Sequence, residues 1–179
     1  MAKAVLISIR PEWVEKILSG KKTLEVRKNR PVLETPFKCY IYCTLDGLKH
    51  PFGIAYGRVV GEFVCDRISP IVPATEPYGI YDVDDDFVKQ TGLVNGALWD
   101  YGKGVTLYGW HISKLEIYDM PKELNEFWFP PEFYCEKERC GGCPYDQVAD
   151  VNGEYSFDCE WKRPLTRPPQ SWCYVEAME

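Results

Sequence analysis

Hydrophobic positions near the start of the chain change their period twice, and each change predicts an element. AVLISI (4 to 9) is an apolar run of strand length. Arg10 and Pro11 follow, and proline suits a first helical turn because its missing N–H would go unbonded there anyway. Trp13, Val14, Ile17 and Leu18 then recur at helical spacing as one apolar stripe, with Glu12, Glu15 and Lys16 turned to water. Gly20 is placed to end this short helix in a left-handed conformation. From Thr23 the period falls to two. Thr23, Glu25 and Arg27 share one face of a predicted strand, and Leu24, Val26 and Lys28 share the other. Leu24 and Val26 make the natural core face, so Glu25 and Arg27 are expected to point together at whatever lies opposite.

Further along, KCYIYC (38 to 43), GRVVGEFVCDRI (57 to 68) and VTLYGWHISKLEIYD (105 to 119) read as strands by their β-branched and aromatic content. PPQSWCYVE (168 to 176) supplies a last one. GLKHPFGIAYG carries the residues of a connection, and SPIVPATEPYG those of a proline-rich loop. DVDDDFVKQTG is acidic enough to suggest calcium. However, Phe87 stands at the sixth place from Asp82, where a calcium loop needs glycine, and no glutamate closes the loop. Aspartates at a helix N-terminus, with Gly92 ending the helix, are the better reading. Strands dominate and two short helices accompany them. The expected fold is therefore a mixed, β-rich α+β chain, a small β-barrel with short helices and one loop-rich insertion. The barrel is assigned to residues 1–125 plus 168–179, and the turn-rich, Cys-rich insertion to 126–167.

Composition changes this picture in one respect. Across 179 residues the net charge is −6, yet residues 1–30 alone carry +5 and the remainder −11. A field that attracts anions to the whole molecule is excluded, and a confined anion site on the N-terminal segment is what remains. The early apolar run is far too short to span a membrane and lacks a signal-peptide layout. A cytoplasmic protein with no membrane partner is expected.

Taken together, the first strand, PEWVEKILSGKKTLEVRK, GEFVCDRI, GWHISKLEIYD and the closing PPQSWCYVE resemble the ASCH domain, a branch of the PUA-like superfamily. The G-x-K-x-x-E-x-R pattern falls on Gly20, Lys22, Glu25 and Arg27. The likeness runs from residue 3 to about 125 and over the final strand, and the Cys-rich segment resembles an addition found in some bacterial and phage-type members. It implies a five- or six-stranded PUA-like barrel with a cleft where the helix meets the motif strand, and a nucleic-acid ligand, RNA foremost. Fold alone does not fix function.

The residues offer matching chemistry. Lys21, Lys22, Arg27, Lys28 and Arg30 can hold phosphates, arginine bidentately. Glu25 would repel phosphate, so it either fixes Arg27 or Lys22 in place or accepts from a base amino group. An ordinary strand-face ion pair is the bland alternative. Trp172, in a proline-constrained segment, is the first candidate for a base-stacking platform, ahead of Trp110, Tyr40 and Tyr42. The rival reading is a small hydrolase with Lys22, Glu25 and Arg27 as its catalytic groups. Some ASCH-like proteins resemble N4-acetylcytidine amidohydrolases, and ribonuclease activity is attributed to others. Lys22 matches the lysine of the amidohydrolase pattern, but Glu25 stands where its threonine belongs and Thr23 is two positions away. His111, inside an apolar strand, reads as a satisfied core histidine. A third reading is a regulatory module that binds protein through its aromatic, Cys-rich part.

Cys135, Cys140, Cys143 and Cys159 crowd into the insertion, with one C-x2-C pair around Gly141 and Gly142. Four thiolates can close a structural zinc site in a segment with little core of its own. The second close pair of a zinc ribbon is missing, so Cys135 or Cys173 must complete the set; packed thiols, disulfides and an iron–sulfur cluster stay open as alternatives. Cys39, Cys43 and Cys65 lie on predicted strands as small core residues.

Overall fold

The apolar run at the start is strand β1 (Lys3–Ile9), and six of its seven residues are buried. A computed structural model describes residues 2–45, 56–76, 78–130 and 164–178. After β1 come helix α1 (Pro11–Leu18), β2 (Leu24–Arg27), β3 (Phe37–Cys43), β4 (Arg58–Ile71), α2 (Asp85–Thr91), α3 (Asn95–Gly102), β5 (Leu107–Lys122), a short 3-10 turn (Leu124–Glu126) and β6 (Trp172–Glu176). The expected helix ends are in place: Gly20 and Gly92 both have φ of 70°, and the Asp84 carboxylate accepts from the Phe87 N–H to start α2. Helix α3 was not expected. Its sequence, NGALWDYG, begins with a helix-averse pair and buries only Leu98 and Gly102, which hides its periodicity.

The strands form one mixed sheet in the order β2-β5-β4-β3-β1-β6. Strands β1 and β3 run parallel, and the other neighbours are antiparallel. The expectation of a barrel is corrected here. Among the described residues β2 pairs only with β5 and β6 only with β1, so six strands are present but the ladder does not close. Long β4 and β5 shift register near Gly61, Val64 and Ile68, and such bulges bend strands. The bend is deep, because Arg27 on β2 reaches the Ser8 carbonyl on β1 although three strands lie between them in the sheet. Closure by backbone is replaced by closure through side chains. The two edge strands are only four and five residues long, which leaves little backbone to zip together.

Three apolar clusters follow from the curl. The concave side holds Val5, Ile7, Ile41, Phe63 and Trp110, plugged by Val14 and Ile17 of α1. The outer side of β1 and β3 packs Leu6, Tyr40 and Val59 against Phe127 and Leu165. Val26, Ile71 and Leu107 meet Tyr81, Val88 and Leu98 under α2 and α3. Strand β2 is thus buried on both faces. Gly102 sets the end of α3: a Cβ there would collide with the Tyr81 hydroxyl, which donates to the Val105 carbonyl at 2.8 Å.

Cys39, Cys43 and Cys65 are buried as expected. Burial pushes the thiols of Cys65 and Cys173 up to about 12, which makes both inert at neutral pH. His111 differs from expectation. Its Nδ1 meets the Asp66 carboxylate at 2.6 Å in a partly exposed pair, beside the shift between Cys65 and Ile68. The zinc set Cys135, Cys140, Cys143 and Cys159 lies outside the described residues, among which no group of three or more metal-ligating side chains gathers. No helix in the described residues is long and apolar enough to cross a membrane.

Candidate functional site

The open seam of the sheet holds a cleft of about 900 Å³. Lys22, Glu25 and Arg27 line it, with Lys28 and Asn29 following on the same segment. Helix α1 contributes Trp13, α3 contributes Ala97 and Tyr101, and the segment before β6 contributes Gln170 and Ser171. The alternation read from the sequence therefore does aim Glu25 and Arg27 into one space. That space is an interior one.

Lys22, Glu25 and Arg27 are 3%, 6% and 9% exposed. One Glu25 oxygen meets Lys22 Nζ at 3.2 Å, and the other meets an Arg27 terminal nitrogen at 2.9 Å. Arg27 donates from that nitrogen to the Ser8 carbonyl at 2.7 Å and from the other to Ser171 Oγ at 3.2 Å. Its Nε is buried without an acceptor among the described residues. Lys22 donates to the Thr91 carbonyl at 2.7 Å and lies 5.5 Å from the centre of the Trp13 ring. Two of its donors are thus taken, by the Thr91 carbonyl and by Glu25. With Lys16 Nζ donating to the Gly92 carbonyl and the Thr23 N–H to the Gln90 carbonyl, Lys22 caps the C-terminal end of α2. Cations suit that end of a helix. The surface ion pair considered from the sequence is thus a buried triad of two cations and one anion, and it forms the floor of the cleft.

The remaining sequence-predicted residues separate. Lys28 is exposed at the rim, its ammonium 5.1 Å from the centre of the Tyr101 ring. Lys21 and Arg30 are exposed and line no part of the cleft; Arg30 lies over Tyr108 instead. Trp172 is not in the lining. Its ring packs on Trp110 and Tyr174, and its Nε1 donates to Asn29 Oδ1 at 2.8 Å, so it braces a cleft residue from behind. Trp110 and Tyr40 are fully buried and Tyr42 nearly so. The aromatic rings that do face the cleft, Trp13 and Tyr101, were not singled out from the sequence. Trp13 reads as a core residue of the helical stripe, and Tyr101 sits on the unexpected helix. Burial raises the Tyr101 phenol, with the Arg27 charge pulling it down and the Glu25 charge pushing it up.

Among the described residues four cations (Arg10, Lys22, Arg27 and Lys28) and one carboxylate, Glu25, line the cleft. It is net positive inside a chain of net charge −6. Thr23 does not line it, so no hydroxyl stands beside Lys22 on the motif strand; Ser8, Thr44 and Ser171 bring hydroxyls from elsewhere.

No protein-family model matches the chain, and no curated protein is similar enough in sequence to stand as a relative. Solved structures do match. The crystal structure of ASCH from Zymomonas mobilis aligns with a TM-score of 0.56 at 19% identity, covering 97% of this chain and 87% of that one. A serine-to-alanine mutant of the ASCH protein from the same organism aligns at 0.53 with 18% identity, covering 97% and 88%. The chain has an ASCH-like fold.

Proposed function

We propose that the cleft binds a phosphate-bearing nucleotide ligand, with RNA as the foremost class. The observation that carries this reading is the charge of the lining. A buried floor of Lys22, Glu25 and Arg27 keeps one positive charge in excess, and Lys28 adds a second at the rim, where Arg10 is paired with Glu12 at 3.2 Å. Inside a low-dielectric wall an unbalanced cation favours an anion far more than it would in water. The acidic remainder of the molecule opposes long-range attraction, so selectivity resides in the pocket and not in an open basic surface. Glu25 acts as the clamp that keeps two like charges side by side.

Binding of a fluorescein-labelled single-stranded RNA octamer, followed by anisotropy over a salt series, tests this. Lys28→Gln is expected to lower the slope of log affinity against log salt by about 0.7, the share of one phosphate contact on a single strand. Absence of binding at low salt, or a slope that Lys28→Gln leaves unchanged, overturns the reading. Cleavage products in the same samples would move it to the hydrolase alternative.

A further inference from the structure

We propose that Tyr101 and Lys28 form a subsite for one unpaired nucleobase at the mouth of the cleft. The inference rests on the nucleotide reading of the same cleft and adds the residues that would hold the base. A base needs a flat, reachable ring, and the rings closest to the cleft are mostly occupied or buried among the described residues. Trp110 and Tyr40 are fully buried, and Trp172 is packed between Trp110 and Tyr174. Trp13 reaches the cleft, but its ring already carries Lys16 at 4.5 Å and Lys22 at 5.5 Å. Tyr101 lines the cleft and is 39% exposed.

Its surroundings fit a planar guest. Ala97 and Tyr101 stand four residues apart on α3 and both line the cleft, so they share one helix face, and Leu93, just before the helix, lines the cleft as well. The small side chain of Ala97 leaves space one turn before the tyrosine ring. Close packing of Gly102 on Tyr81 fixes the end of α3 that presents the ring. Over that ring lies the Lys28 ammonium at 5.1 Å, for which the described residues provide no carboxylate partner. A cation over a tyrosine is held weakly, by about 0.5–1 kcal/mol at an exposed site. An entering base displaces it from the ring, and the freed ammonium is then one long side chain away from the phosphate of the same nucleotide. Stacking and charge are supplied by two residues that already touch.

Titration of labelled octauridylate, AMP, a blunt RNA duplex and inorganic tripolyphosphate against four proteins tests the subsite. Tyr101→Ala is expected to weaken octauridylate and AMP by about 5- to 150-fold, while Tyr101→Phe stays within about twofold because the ring is kept. Ala97→Leu, which removes no contact but fills the space beside the ring, is expected to weaken both by a similar factor. Tripolyphosphate has no base and is expected to bind all four proteins alike. The duplex, whose bases are paired, is expected to bind more weakly than the single strand. If octauridylate and tripolyphosphate bind but Tyr101→Ala changes neither, the subsite is overturned and the anion cleft stands. If neither binds the wild-type protein, both readings fall. Loss of AMP binding with octauridylate retained would also overturn the subsite, because the same base contact must serve both.

Discussion

Glu25→Gln is expected to lower stability by about 3–5 kcal/mol, because it leaves two buried cations without their shared anion. Both Glu25 oxygens are engaged, at 3.2 Å with Lys22 and 2.9 Å with Arg27, and its side chain is 8% exposed. Water cannot easily take over. For a chain of this size the loss corresponds to a fall of roughly 6–20 °C in melting temperature, measured by calorimetry. The same substitution makes the floor of the cleft more positive. A phosphate-bearing ligand is therefore expected to raise the melting temperature of Glu25→Gln more than that of the wild type, since ligand binding to the native state adds stability by mass action. Were Glu25 instead to accept from a base amino group, a cytidine ligand would raise it less. The sign of that difference separates a clamp from a reader of the base.

Arg27→Lys keeps the charge and is expected to lose the seam. One guanidinium fork reaches Glu25, the Ser8 carbonyl and Ser171 Oγ together, which a single ammonium on a flexible stem does not reproduce. Bonds to a charged donor contribute about 1.5–3 kcal/mol each, and the acceptors left behind are part-buried or buried. The expected result is local. Amide exchange is to accelerate at Ser8, whose N–H donates to the Ser171 carbonyl at 2.9 Å, and along the β1–β6 ladder. Amides of the β3–β4 ladder are to keep their protection, because no Arg27 contact supports them. Uniform acceleration over the whole sheet would mean that the fork holds the fold and not the seam.

Much of this was legible in the chain because it depends on local periodicity. The stripe of Val14 and Ile17, the stop at Gly20 and the alternation from Leu24 to Arg27 all follow from neighbours in sequence. So does the joint orientation of Glu25 and Arg27. What the pattern does not contain is the far side of the cleft. Ser8, Tyr101 and Ser171 come from distant elements that meet only when the sheet curls, and the curl depends on bulges that no residue type announces. Burial of Glu25 and Arg27 was hidden for the same reason: a strand with one apolar face reads as half-exposed until a second core is seen on its other side. His111 shows the reverse case. Its apolar neighbours suggest a core position, yet the local register shift brings it to Asp66 near the surface. The barrel expectation missed because strand count is written in composition whereas backbone closure between the first and last edges is not.

The central claim is that the ligand enters the seam beside the Lys22–Glu25–Arg27 floor. Amide chemical-shift mapping with unlabelled single-stranded RNA octamer tests it most directly. The largest shifts are expected to fall together on residues 8–10, 22–29, 97–101 and 170–171, four segments brought together at the cleft. Shifts confined to β3, β4 and β5 around Lys38, Glu62 and Tyr118, with the cleft unmoved, would contradict it.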